Sequence, residues 1–298
     1  ENYIYFSIGH GERSLSTDYF HTKTFLEGEG YIIKTINIST AGYIPENADI
    51  FIVAGPRKDL SKEDIHVVEN YLDRGGKVII ALDPPTQNEN FTNLKKMLSC
   101  WGIGVNDDLV IDLDSHYFLD TIGLIPVINP HPVTERIIEK DLSLFFPRSR
   151  SLYHTKEKGI EFIKTSSVLV TTENAWGKTD FTDKTIAFNP EINDKGSLTI
   201  AYESSSQDSQ AILFVFGNAS FLDNDIVTFQ GNIDFFMNTI GWMTGKKDSI
   251  TIRAKNPGFG SVYLSTSQAK SIFYLTVIVI PMCFILFAVV IWARRRNL

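Results

Sequence analysis

Residues 48–84, ADIFIVAGPRKDLSKEDIHVVENYLDRGGKVIIALDP, decide the fold. The run DIFIVAGP (49–56) is too short and too uniformly apolar for a surface helix, and Gly55-Pro56 closes it, so it reads as a strand buried on both faces. Ser61 and Asp64 have the spacing of a capping box opening a helix, and Ile65, Val68 and Leu72 repeat at helical intervals. Gly75-Gly76 ends that helix, and KVIIAL (77–82) is a second buried strand running into Asp83-Pro84-Pro85. Strand, helix and strand at these lengths make a parallel unit, with the helix covering one face of a sheet.

The same rhythm extends in both directions. Upstream, YIYFSI (3–8) is a strand ending in Gly9-His10-Gly11-Glu12, followed by a helical stretch over 17–28 and a strand over 31–38. Downstream, 91–101 has helical spacing and LVID (109–112) is a short strand. Residues 126–196 are irregular, with scattered prolines, one strand-like run at 166–171 and Trp176-Gly177, and read as an elaboration on the core. SLTIAYE (197–203) and AILFVFG (211–217) return as strong strands, the second as apolar as the central ones and so expected in the same sheet. Ile233, Phe236, Ile240 and Met243 place one apolar helical face over 232–243. The fold class is therefore α/β, a mostly parallel sheet with flanking helices.

Ile272 to Ala293 is 22 residues without a charge. At helical rise this spans roughly 33 Å, enough for a bilayer core. Arg294, Arg295 and Arg296 follow, and the positive-inside tendency puts them in the cytoplasm. The organisation expected is an extracytoplasmic domain over 1–245, a stalk over 246–270, a transmembrane helix over 271–293 and a cytoplasmic tail over 294–298. Without the three tail arginines the 28 basic residues fall to 25, against 35 acidic, a net of −10. That balance favours neither nucleic acid nor an anionic lipid surface as partner. Cys100 and Cys283 are the two cysteines, the second inside the span, so an intramolecular disulfide is not expected. Cys100, late in an amphipathic helix, reads as a packed thiol.

Ligands of open parallel sheets bind beyond the C-terminal strand ends. Four such ends here carry small or polar residues: Gly9, His10, Gly11 and Glu12; Gly55 and Pro56; Asp83; and Asn218 after Gly217. These form the candidate crevice for a ligand or partner, although sharp turns demand the same residue types with nothing bound. His10 and Glu12 are too few for a metal centre, and His131 is the one further candidate ligand. His10 reads rather as a hydrogen-bonded structural histidine, and no metal or cofactor is expected. KVIIAL runs into Asp83-Pro84-Pro85, and a proline there forbids the strand-to-helix elbow of a cysteine or serine nucleophile. There is no phosphate-binding G-x-x-x-x-G-K-[ST] loop and no H-E-x-x-H, so no catalytic residues are assigned.

Several segments together carry a resemblance. YFSIGHGERSLS (5–16), the 48–84 block, NPHPVTERI (129–137), LFFPRSRSL (144–152) and LFVFGNASFLDND (213–225) occur in the order of the auxiliary component family of ABC-type transport systems. WGKTDF (176–181), FNPEINDKGSLTIAYE (188–203) and GNIDFFMNTIGWMTGKKDSITIRAK (231–255), with the terminal helix and arginine tail, follow the same order. The family includes the gliding-motility protein GldG. The resemblance implies a glutamine-amidotransferase-like or flavodoxin-like α/β domain lacking catalytic residues, with a related domain in intraflagellar transport proteins. It also implies partners, an ABC permease and its cytoplasmic ATPase, and a role as a non-catalytic accessory subunit at the membrane. Members often have a transmembrane helix before the soluble domain, which this sequence does not show. A membrane-tethered module that binds a glycan or peptide in the crevice is the alternative the residues leave open.

Overall fold

A computed structural model of the chain describes residues 1–86, 91–117, 120–155, 162–180, 186–189, 195–246 and 266–296. β1 (Asn2–Ser7) passes through α1 (Phe20–Gly28) to β2 (Tyr31–Ile36), which pairs with it in parallel. After the short helix α2 (Ile38–Ala41), β3 (Ala48–Ala54) takes the other side of β1. Helix α3 (Lys62–Asp73) then crosses to β4 (Lys77–Ala81), again parallel. Both halves of the expected capping box are formed, Ser61 accepting from the Asp64 amide at 3.1 Å and Asp64 from the Ser61 amide at 3.0 Å.

Next come α4 (Thr92–Cys100), β5 (Ile103–Val105), β6 (Leu109–Asp112), β7 (His116–Tyr117), β8 (Asp120–Leu124) and β9 (Val127–Ile128). They are followed by α5 (Glu135–Glu139), β10 (Phe146–Pro147), β11 (Leu152–His154), β12 (Ile163–Val170) and β13 (Ala175–Lys178). The domain closes with β14 (Thr199–Ser206), β15 (Ile212–Phe216) and α6 (Asn232–Thr244). The main sheet has the order β2-β1-β3-β4-β15-β14-β11-β5, with β12 on β14 and β9 on β12. Its first five strands are parallel, and β15 then turns the sheet antiparallel through its hairpin with β14. The sheet is thus mixed. The order of its parallel part is that of flavodoxin-like folds, with the topological switch between β1 and β3.

The apolar strands divide their side chains between two cores, as a period of two requires. Ile50, Ile52, Ile79, Phe214 and Phe216 face α6, whereas Phe51, Val53, Val78, Ile80 and Val215 face α3 and α4. LVID does form a strand, but β6 leaves the main sheet to pair with β13 in a two-stranded ribbon. Cys100 is exposed, not packed. Leu94, Met97 and Leu98 take the inner face of α4 and turn the cysteine outward. Helix α6 departs from the expected single apolar face: Asn232, Asp234, Asn238 and Thr239 are buried too. Its outer side is covered by the stretch after β9, and the Asn232 side chain answers this by bonding both the amide and the carbonyl of Phe145 at 2.9 Å.

Glu203 lies within the sheet, opposite Phe214 and Ser166, with 3% exposure. Its Oε1 has no hydrogen-bond partner among the described residues. Burial, against the pull of Ser205, Ser166 and Lys164, pushes its carboxyl above the ordinary range. The folded chain therefore holds this proton longer than the unfolded chain does, and stability falls as pH rises through the unfolded value toward the folded one. Glu203→Gln is expected to be more stable than the parent at pH 8, with the difference closing toward pH 4, measured by denaturant unfolding at each pH.

The terminal segment Gln268–Arg296 is one helix of 29 residues, whose apolar 18-residue window has a mean hydropathy of 2.8 and is not buried. It is the one helix among the described residues long and apolar enough to cross a membrane. Tyr274–Val279 takes the wider π turn just before Pro281. Proline has no amide to donate and its ring crowds the carbonyl one turn back, so the wider turn relieves it. The expected stalk at 246–270 lies, apart from its two ends, outside the described residues.

Candidate functional site

The C-terminal ends of β1, β3, β4 and β15 meet at the switch-point end of the sheet, as expected, and their loops are joined edge to edge. The His10 carbonyl accepts from the Arg57 amide at 2.8 Å and the Lys58 amide at 3.0 Å. The Arg13 amide donates to Ala54 at 3.2 Å, Gly55 to Ala81 at 2.9 Å and Leu82 to Phe216 at 2.9 Å. The eight candidate residues fall into two groups on this frame.

The first group centres on His10, which is 6% exposed. Its Nδ1 stands 3.3 Å from Glu12 Oε1 and its Nε2 stands 3.1 Å from Asp64 Oδ2. Glu12 also accepts from Ser7 Oγ and from the His10 amide, each at 2.7 Å, and Asp64 from Ser61 Oγ at 2.7 Å. The Glu12 hydrogen bond, opposed by burial and reinforced by Asp64, raises His10 above the usual histidine range. Burial pushes both carboxyls upward, but the bonds from His10 and the neighbouring serines outweigh it and hold both below the usual range. Gly9 and Gly11 flank His10 and are exposed.

An imidazole engaged by carboxylates on both nitrogens has no lone pair for a proton from a nucleophile. The hydroxyl of Ser39, 3.4 Å from Nε2, is therefore poorly placed for activation. His131 is on the other side of the sheet, edge-on to Phe214 and Trp242 at 6.2 and 5.1 Å, where burial and the Lys164 charge push it down to about 4. Among the described residues no group of three or more His, Cys, Asp and Glu side chains is arranged to hold a metal ion.

The second group centres on Asp83. Its carboxylate pairs with the Arg13 guanidinium and accepts from the Ala219 amide at 2.8 Å. Arg13 also reaches Asp223 at 2.8 Å and Ser220 Oγ at 2.9 Å. Burial pushes Asp223 up to about 6 against the pull of Arg13, with Asp83 and Asp18 adding to the rise. Gly55 is where it is because a Cβ there would overlap the guanidinium, and its φ of +64° suits glycine. The fully buried Arg150 adds a second guanidinium, bonding the Asp83 carbonyl at 3.2 Å and the Asn106 carbonyl at 2.8 Å. Asn218 is also buried: it donates to the carbonyls of Pro147 and Arg148 and accepts from the Phe221 amide at 2.7 Å. Pro56 is buried beside Gly55.

Among the described residues, the chain's own side chains bond the groups at these strand ends. Arg13, Asp64, Asp223 and Arg150, which make those bonds, were not among the sequence candidates. Asp64 was legible only as a helix cap, and Arg13 only as one charge in an ordinary loop.

The profile of a family described as "ABC-type uncharacterized transport system" matches residues 1–239. The mouse Intraflagellar transport protein 52 homolog is 34% identical over 62 residues, which is 21% of this chain and 15% of that protein. The human homolog is likewise 34% identical over 62 residues, 14% of its length. The match therefore spans only a small part of these relatives. A solved structure described as "mmIFT52 N-terminal domain" superposes with a TM-score of 0.60 at 18% identity, covering 81% of this chain and 97% of that one. At that identity the likeness is one of fold.

Proposed function

From the premise that this chain belongs to the ABC-type uncharacterized transport system family, as an auxiliary component, we propose that it is a non-catalytic, membrane-anchored accessory subunit of an ABC transporter. The observation that carries the reading is the family match over 1–239, followed in the same chain by an unburied apolar helix at Gln268–Arg296. The helix sits beside an ABC-2-type permease, with Thr276, Pro281, Cys283 and Ala288 as the close-packing positions. The domain stands outside the cytoplasm, above the permease, and the arginine tail lies inside. A GldG-like place in gliding motility is the finer form of this reading.

The strand-end surface is the partner contact in this proposal. Gly9 and Gly11 present backbone at the rim. His10, Glu12, Gly55, Pro56, Asp83 and Asn218 hold that rim in shape from beneath. A surface made rigid by internal ion pairs suits a preformed protein interface better than a pocket that must open for a small ligand.

The test is an affinity pull-down of the full chain from native membranes. An ABC permease and its ATPase recovered in fixed proportion are the expected result. The chain recovered alone, or with a bound glycan or peptide, would replace this reading with the tethered binding module. Orientation has its own check, because Cys100 is exposed on the domain and Cys283 lies in the apolar helix. A membrane-impermeant maleimide added to right-side-out vesicles is expected to label the chain, and Cys100→Ser to abolish the label. Labelling only after the vesicles are opened would invert the topology.

A further inference from the structure

His10 is a point where three separate segments of the switch-point surface converge on a single titratable side chain. Its own loop supplies Glu12, the first turn of α3 supplies Asp64, and α2 supplies the Ser39 hydroxyl. Its backbone carbonyl takes the amides of Arg57 and Lys58 from the loop after β3. The side chains of His10, Glu12 and Asp64 are only 8%, 2% and 3% exposed, so water does little to screen the contacts among them.

The donor count decides how this junction behaves. Two ionised carboxylates can only accept, and both face ring nitrogens of the same imidazole. An imidazolium has two N–H groups and satisfies both. A neutral imidazole has one, leaving the other nitrogen's lone pair facing a buried carboxylate oxygen. That arrangement loses a charge-assisted bond and strands an acceptor. Other groups around the junction do not reverse the preference. The Ser39 hydroxyl can donate to Nε2, but it is farther away than Asp64 and is also drawn to that carboxylate. The Asn37 amide packed on Gly9 is uncharged, and the Arg57 and Lys58 side chains are exposed.

We infer that His10 is a charge-dependent clasp: as imidazolium it ties the Gly9–Glu12 loop to the start of α3, and loss of its proton releases that loop together with the 55–58 loop it holds. The sign follows from the same accounting. The clasp is fully engaged below the ordinary histidine value and is lost as pH rises through the raised folded-state value. In the other direction it survives until Glu12 and Asp64 protonate, below the usual carboxyl range. The device makes the rim of the switch-point surface rigid while His10 carries its proton and loose once it is lost, whatever docks on it.

The experiment uses the full chain in detergent micelles. Amide exchange of residues 9–13 and 55–58 is measured from pH 6 to 9.5 and corrected for intrinsic base catalysis. Protection of both segments is expected to fall severalfold as the pH rises through the His10 transition, because release of the loop opens both segments together. In His10→Gln protection is expected to be low and independent of pH. Protection that stays level in the parent, or a pH dependence that persists in His10→Gln, would overturn the clasp. Should His10→Gln fail to fold, histidine-labelled parent protein gives the same decision by NMR. The His10 ring and the Gly11 and Lys58 amides are expected to titrate with one midpoint, and separate midpoints would overturn the proposal.

Discussion

Asp83→Ala is expected to destabilise the domain by about 3 kcal/mol, because it removes one partner of a mostly buried ion pair and leaves the other behind. Arg13 and Asp83 are only 16% and 15% exposed at their side chains, so solvent compensates the abandoned guanidinium poorly. The same substitution strips the Ala219 amide of its acceptor. Thermal unfolding of the full chain in detergent should show a midpoint lower by roughly 6–12 °C. Asp83→Asn, which keeps the shape and an acceptor oxygen, should lose less. A midpoint within about 2 °C of the parent would mean that Asp83 is not the structural hub its contacts describe. In that case a residue at a strand end that costs little to remove regains its standing as a contact for something outside the chain.

Gly217→Ala is the second large effect, expected at about 3 kcal/mol from a single methyl group, at the upper end of what overpacking costs. The Cβ would overlap the carbonyl oxygen of Arg150 and crowd that of Ile200. Neither obstacle is the movable end of a side chain. Gly217 accepts from the Arg150 amide at 2.7 Å and donates to Ile200 at 2.8 Å, so the three backbones are locked together. A soluble-expression assay and the thermal midpoint check this, and a variant that folds with the parent's midpoint would refute it. Gly28→Ala serves as the control, since nothing lies within 4 Å of a Cβ there and the position is helical.

These two positions show where sequence reading stops. Glycine, proline, aspartate and asparagine at strand ends signal that some group approaches closely. Residue type does not say whether the group is a ligand or the chain itself. At Gly55 it is the Arg13 guanidinium, at Gly217 the Arg150 backbone, and at Asp83 both arginines. The intruding residues come from 67 and 70 positions away along the chain in the case of Asp83. Spacing motifs reach a few residues, so such partners leave no local trace. His10 is similar. Its bond to Glu12 is two residues away and could be suspected, whereas its bond to Asp64 spans 54.

What the sequence determined by itself is whatever depends on short-range periodicity and length. The buried central strands, the capping box at Ser61, the α3 register and the apolar terminal helix all follow from contiguous residues, because backbone geometry converts their spacing directly into faces and spans. Only the tertiary structure decided the rest. β15 is as apolar as β4 and pairs with it in parallel, yet it arrives through a hairpin that turns the remainder of the sheet antiparallel. LVID makes a strand that belongs to a different sheet, and the polar residues of α6 are buried because a distant segment covers them. Strand partners, and the charges that bond the groups at their ends, are chosen by contacts between residues far apart in sequence. Those contacts exist only once the chain has closed on itself.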